Sequence, residues 1–190
     1  DVLDLQRVTL VGQDWGGLIG LRLAAENPDR FSNIVVANTG LPTGDFNMPE
    51  VWWRFREAIQ NAPAVEVSAF VQSGCQRALS REVRAAYDAP FPDDTFSAGP
   101  RAMPGLVPTS PDDPATEANR RAWAALSASP TPMLVAFSDR DPITGAMAPI
   151  FQKHMRGAQG VNHPTIHAAG HFLQEDAGEE LARHIVDFLG

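Results

Sequence analysis

At 190 residues, 44% of them hydrophobic, the chain is long enough for one globular domain with a real core. Its net charge of -8, with no basic block, argues against nucleic acid or an anionic membrane surface as partner. No apolar run is long enough to span a bilayer, and no signal-peptide pattern stands at Asp1. The one cysteine, Cys75, cannot form an internal disulfide, and no Cys/His cluster has zinc spacing. Cys75 is therefore expected to be a small, partly buried side chain, no metal or cofactor is expected, and a reducing cytoplasm is the default location.

The elements fall into three regions. In residues 1–40, Asp1 to Gln6 leads straight into the strand-like run Val8 to Val11, with no methionine before it, so the chain reads as the C-terminal part of a longer one. A helix with apolar spacing over Leu18 to Ala25 follows, closed by Asn27-Pro28, and then a second apolar strand, Ile34 to Asn38. Strands apolar on both faces and separated by a helix predict a βαβ unit in a parallel sheet. Residues 41–130 hold most of the prolines between short amphipathic stretches; Val51 to Gln60, Val65 to Cys75, Arg81 to Tyr87 and Thr116 to Leu126 are expected helices, with no convincing strand. Residues 131–190 return to sheet logic. A strand over Pro132 to Phe137, a helix over Met147 to Met155, a short strand over Thr165 to Ala168 and a final helix over Glu179 to Leu189 are expected. In that last helix Leu181, Ile185, Phe188 and Leu189 share one face. The fold expected is a doubly wound α/β domain, 1–40 and 131–190 forming its core and 41–130 a helical cap inserted between them.

The sharpest chemical signal is Val11-Gly12-Gln13-Asp14-Trp15-Gly16-Gly17, a G-x-D-x-G turn between strand and helix, where open α/β sheets place their active sites. The small residues permit a tight turn that lifts the central side chain out at the top of the sheet. A plain alternative is that Asp14 merely caps the helix. A second acid-bearing turn, Phe137-Ser138-Asp139-Arg140-Asp141-Pro142, follows the strand at 132–137. Asp141 is preferred to Asp139 because the following proline biases it away from helix at the strand exit, whereas Asp139 is expected to pair with Arg140 or cap the turn. Of the five histidines, His154 and His184 fall in helices, and His163 and His167 are better explained by packing at or beside the last strand. His171, in Ala169-Gly170-His171-Phe172, alone sits in a loop after that strand. Asp14, Asp141 and His171 thus occur in the order nucleophile, acid, histidine, each after an expected strand. A carboxylate nucleophile needs no deprotonation at neutral pH and suits displacement at saturated carbon. The ester so formed would be hydrolysed by water activated by His171 with Asp141.

With those residues in place the chain resembles the haloalkane dehalogenases of the α/β-hydrolase superfamily, in the branch whose catalytic acid follows the strand after the cap. The resemblance covers nearly the whole chain. It is carried by Gly12 to Gly17, Asn27-Pro28-Asp29-Arg30-Phe31, Tyr87-Asp88-Ala89-Pro90-Phe91-Pro92-Asp93 and Ala169 to Glu175. It implies an α/β-hydrolase fold, a small apolar halogenated substrate, water and a departing halide held by two indole N–H groups. One of these is Trp15; the other comes from Val51-Trp52-Trp53-Arg54-Phe55, with Trp53 in the better register and Trp52 as its rival. Another branch takes its acid from the end of the strand at 34–38, where this chain has Asn38. Phe55, Phe70, Phe91 and Phe96 are expected in the core before the substrate wall.

Three rival readings remain in view. Epoxide hydrolases share the aspartate elbow but open their ring with two cap tyrosines, and this chain has one, Tyr87. Haloacetate dehalogenases place arginine after the nucleophile, where Trp15 stands here. A non-catalytic binding module with this fold is the reading from another class. The resemblance also implies an earlier loop of H-G-x-P type that supplies an oxyanion-hole donor; no such segment occurs here, and a sheet without its earlier strands would expose an edge.

Overall fold

Val8–Gln13 (β1) and Phe31–Ala37 (β2) lie parallel, with Leu10 opposite Ile34 and Gly12 opposite Val36. A parallel pair needs a crossover, and the helix Asp14–Glu26 (α1) supplies it. That helix stops because Asn27 folds back on it: its backbone N–H and side-chain Nδ2 both donate to the Leu23 carbonyl, at 2.9 and 3.0 Å, and Pro28 cannot continue the ladder. The computed structural model describes residues 3–190; Asp1 and Val2, where the first expected region begins, lie outside the described residues.

The strand expected over 132–137 is present as two short pieces with different partners. Met133–Val135 (β3) runs parallel to β2, and Phe137–Ser138 (β4) runs parallel to Thr165–Ile166 (β5). Between them the Ala136 N–H still donates to the Val36 carbonyl at 2.9 Å, so one extended segment passes its pairing from β2 to β5. β5 is shorter than expected because the chain turns out at Ala168, whose φ is 53°. His167 therefore lies beyond the strand instead of packing at its edge. It is exposed, with Nδ1 3.2 Å from Asp139 Oδ2, while Arg140 lies 4.0 Å from the same carboxylate.

Alternation along the strands divides the core between the two sheet faces. Ile34, Val36, Met133, Val135 and Phe137 point to one side, where they pack with Leu21 of α1, with Ala122 and Leu126 of helix Thr116–Ala128 (α6), and with Phe151 of helix Met147–His154 (α7). Val35, Ala37, Leu134, Ala136 and Ile166 point to the other, under Leu173 and Leu181 of helix Leu173–Leu189 (α8). Helices on both faces of a parallel sheet make the fold doubly wound α/β. The last helix starts six residues earlier than the expected Glu179 and is kinked at Ala177 (φ -147°, ψ 39°). Ile185 and Phe188 pack on the core as expected, whereas Leu189 is exposed.

Between β2 and β3 the described residues form helices only. Glu50–Asn61 (α2), Val67–Ser73 (α3) and Arg81–Asp88 (α4) match the expected stretches within two residues. Ala98–Ala102 (α5) was not expected, because Pro100 reads as a breaker; it is tolerated at the third helical position, where its N–H would have no intrahelical partner. α6 packs on the sheet itself, so the helical region is not one layer. β1 is the outer strand of its sheet among the described residues, and Val11, Ile19 and Leu23 beside it are exposed.

Candidate active site

Asp14 is the first residue of α1 and adopts φ 45°, a left-handed conformation that is strained for a residue with a side chain. It is not the helix cap: Gln13 holds that position and makes no capping bond with its side chain. Two features hold the turn. The Asp14 N–H donates to the Asn38 carbonyl at 3.0 Å and the Thr39 hydroxyl donates to the Asp14 carbonyl at 2.7 Å. Close approach does the rest: a Cβ on Gly12 would stand 2.7 Å from the Gly17 Cα, and one on Gly17 would stand 2.1 Å from Thr39 Oγ1. The turn therefore closes only with glycine at both places, and the Asp14 side chain is left 39% exposed.

The acid and the histidine come from the far side of the sheet. Asp141, three residues past β4, has a side chain with no exposure. Its Oδ1 accepts the Ile143 N–H at 2.9 Å, and its Oδ2 accepts from the Thr144 hydroxyl and faces His171 Nδ1 at 3.1 Å. The other ring nitrogen, Nε2, lies 3.2 Å from Asp14 Oδ1. The structure thus brings Asp14, His171 and Asp141 into one line, with the acid sealed and the outer carboxylate open. Asp139 points away to His167.

Charge follows from this line. Burial works against a positive His171, but its hydrogen bonds and attraction to Asp14 and Asp141 outweigh that and hold the imidazole up at about 9. Burial likewise pushes the Asp141 carboxyl up, yet the His171 hydrogen bond and charge, with Thr144 and the Ile143 amide, bring it below the usual carboxylate range. Both shifts favour a positive His171 against a charged Asp141 at neutral pH.

Several residues that the sequence reading left without a role complete the site. Asn38 is fully buried, and its Nδ2 donates to the Gly170 carbonyl at 2.8 Å and the His171 carbonyl at 3.0 Å, while its Oδ1 accepts the Ser138 N–H at 2.9 Å. The residue that cannot be an acid therefore holds the histidine loop. Gln13 Nε2 donates to the His171 carbonyl at 3.1 Å and lies 3.4 Å from His171 Nε2. The carbonyl can only accept, so it fixes the NH2 end of Gln13 toward the ring. A polar residue ending an apolar strand run is the sequence signal that would have drawn attention to Asn38; Gln13 carried none beyond its place in the motif.

The expected indoles are placed differently from each other. Trp15 is half-buried and lines an open cleft of about 290 Å³ with Leu18, Ile19, Leu106 and Pro108; Asp14 is not in its wall. Trp52 is buried, at 5% exposure, and Trp53 is 41% exposed, the two rings meeting edge to face at 4.8 Å beneath the Arg56 guanidinium. Trp52 is thus the more deeply packed of the pair. Phe55 and Phe70 meet edge to face at 6.0 Å, whereas Phe96 is exposed and not in the core. The Tyr87 hydroxyl donates to Glu175 at 2.6 Å, and burial together with that bond pushes it up to about 12. Cys75 is partly buried; burial and the nearby Asp176 and Glu175 charges push its thiol up to about 11, away from the thiolate form.

Residues 1–184 match the alpha/beta hydrolase family. Among curated relatives, the chain is 49% identical over 189 residues to a haloalkane dehalogenase from Psychrobacter cryohalolentis and 50% identical over 186 residues to one from Mycolicibacterium paratuberculosis. These matches take in 100% and 98% of this chain and 62% of each relative, so the chain spans under two thirds of their length. Among solved structures it is similar to a tetrameric haloalkane dehalogenase from Paraglaciecola agarilytica. That match has a TM-score of 0.87 and 30% identity, covering 96% of this chain and 60% of the other.

Proposed function

The chain belongs to the alpha/beta hydrolase family, and from that premise we propose that the protein is a haloalkane dehalogenase acting through a covalent ester on Asp14. The observation that carries this reading is a carboxylate, in place of a hydroxyl, at the elbow, open to solvent and 3.2 Å from a histidine paired with a buried acid. The relatives at about half identity bear the same activity in their names.

In the first step an Asp14 oxygen attacks the halogen-bearing carbon; a C–O bond forms and the carbon–halogen pair leaves as halide. Trp15 donates its indole N–H to the departing ion, with Trp53 as the second donor and Trp52 as its rival. Esterification removes one of the two anions that hold the His171 proton, so the imidazole releases that proton to solvent and becomes a base. It then takes a proton from water as the water oxygen adds to the ester carbonyl carbon. Collapse breaks the bond to the alkoxide oxygen, which takes the proton of the added hydroxyl and leaves as alcohol. The Asp14 carboxylate is restored and His171 is left protonated as at the start, so the net change is one water consumed and one alcohol, one halide and one proton released. Within residues 41–130 the helices before α6 act as the cap over the substrate, while α6 packs with 1–40 and 131–190 in the core, and a cytoplasmic location suits a chain with one unpaired thiol.

Epoxide opening needs an acid for the alkoxide, and the one tyrosine is already bonded to Glu175 and held at about 12. The full-length protein given brominated alkanes, epoxides and esters should release bromide and leave epoxides intact. Diol formation without halide release would sink the dehalogenase reading. Bromide quenching of indole fluorescence in Trp52→Phe and Trp53→Phe variants would assign the second donor.

A further inference from the structure

The loop that carries His171 has no regular structure, yet its peptide groups are bonded on two sides. From the sheet, Asn38 and Ser138 donate to the Gly170 carbonyl at 2.8 Å each, and Asn38 and Gln13 donate to the His171 carbonyl. From the helical region the partners are fewer and converge on one side chain. Asp176, in the first turn of α8, is 1% exposed. Its Oδ2 accepts the Gly170 N–H at 2.8 Å and the Gln76 N–H at 2.8 Å; its Oδ1 accepts the Arg77 N–H at 2.8 Å and the Gln76 N–H at 2.9 Å. One carboxylate therefore joins the turn after α3 to the residue preceding the catalytic histidine, across about a hundred positions of sequence.

Close approach adds to these bonds at the joint. The Phe172 N–H donates to the Gly74 carbonyl at 3.3 Å, and a Cβ on Gly170 would stand 2.3 Å from that same oxygen. A Cβ on Gly74 would stand 2.7 Å from the Phe172 ring. A carboxylate taken out of water is costly unless several donors replace the lost hydration; here backbone amides supply them, and they do so only while the two loops are together.

We infer that Asp176 is a positioning residue for the histidine: it locks the Gly170–Phe172 loop against the Gly74–Arg77 turn and so sets His171 between Asp14 and Asp141. This rests on the reaction proposed above, in which the ester forms without His171 and is broken with it. Loosening the lock then leaves the attack by Asp14 intact and slows only the hydrolysis. It also joins the helical region to the loop that carries the base.

Asp176→Asn exchanges one acceptor oxygen for a donor and breaks the lock; Asp176→Glu keeps the charge and adds a methylene, which separates an effect of position from one of charge. Both variants of the full-length protein are mixed with excess 1,2-dibromoethane, and first-turnover bromide, steady-state bromide and intact protein mass are followed. In each variant the first turnover is expected within about twofold of wild type while steady state falls about tenfold or more, with the alkyl mass accumulating on Asp14. A parallel fall of both phases, or unchanged kinetics, in a folded variant overturns the inference. A wild-type glutamate variant beside an impaired Asn variant overturns it too, because charge alone would then suffice. Labelled-histidine NMR gives a readout independent of turnover. The His171 titration midpoint is expected to fall toward its ordinary value in both variants as the ring leaves its two carboxylates, and an unmoved midpoint overturns the inference. Should wild type release no bromide, the dehalogenase reading fails by itself, and the midpoint still decides the role of Asp176.

Discussion

The elbow at Asp14 and the loop at His171 face each other across 3.2 Å but are held by different means. The elbow is built mainly from backbone, that of its own six residues and of the chain just past β2. Gly12 and Gly17 leave no room for a Cβ, and the left-handed Asp14 is fixed by its N–H donating to the Asn38 carbonyl and its carbonyl accepting from the Thr39 hydroxyl. The histidine loop is non-local and built from side chains. Gln13, Asn38, Ser138 and Asp176 reach it from four separate stretches of chain. A turn held by strain and close contact tolerates little substitution and moves as a unit, whereas a loop held by hydrogen bonds can lose one tie and shift by a fraction of its reach. The attacking group is thus on the stiffer element and the base on the more adjustable one. This suits a nucleophile that must meet an incoming carbon and a base that must reach a water.

The largest expected effects test whether the two regions serve two steps. Asp14→Asn removes the nucleophile on the stiff side, and halide release from a brominated alkane should drop about 10⁴-fold or more, with no alkyl mass on the protein. His171→Phe removes the base on the other side. Its steady-state rate should fall about 10³-fold, yet one equivalent of halide should still appear, and digestion with mass spectrometry should find the alkyl group on the peptide containing Asp14. Loss of the first-turnover halide in His171→Phe would mean that the histidine takes part in the attack, and the division between the regions would be wrong.

Smaller effects should follow the mode of support. Asn38→Ala leaves the buried Ser138 N–H without its acceptor and takes one of two donors from each loop carbonyl, a cost of about 1–3 kcal/mol, and it should slow hydrolysis more than alkylation. Gly17→Ala forces a methyl group against Thr39, a cost of about 1–3 kcal/mol. Because it disturbs the elbow itself, it should slow both steps together. Thermal unfolding gives the stability change in each case and rapid-quench halide release gives the two phases. Equal slowing of both phases in both variants would erase the distinction.

The same contrast explains what was legible in the sequence. G-x-D-x-G could be read because its glycines and its central aspartate lie within six consecutive residues, although Asn38 and Thr39, which also hold the turn, are not marked there. The strands were found because apolar runs buried on both faces need no knowledge of partners. The change of partner between β3 and β4 was not legible, since the run from Met133 to Ser138 is uniformly apolar until its last residue and nothing in it marks where β2 gives way to β5. α5 was hidden by Pro100, which is a breaker everywhere except the first turn. The triad could be proposed from order alone, but the support for His171 could not. Asn38, Ser138 and Asp176 are ordinary polar residues until the fold brings them within 3 Å of Gly170, and no spacing rule relates positions 38, 138 and 176.

The smallest effect concerns charge shared between the two regions. His171 is held at about 9 in the folded protein against an ordinary 6.5, so the stability it contributes is complete below pH 6.5 and is lost as the pH rises through about 9. Asp141 is displaced the other way: its folded value lies below 3.8, so its contribution is present above that pH and is lost as the pH falls through the folded value. The two contributions overlap across mildly acidic to neutral pH, where the imidazolium and the Asp141 carboxylate coexist. Other groups titrate above pH 9 as well, so the test is a difference between two proteins. Between pH 7 and pH 10 the unfolding temperature of wild type should fall by a few degrees more than that of His171→Phe, which has no imidazolium to lose. Asp14→Asn should lie between them, because it removes one of the two anions that raise the histidine and leaves the Asp141 pair in place. Parallel curves for all three would mean that the elbow and the loop are held together by geometry alone, with no share carried by the charge between them.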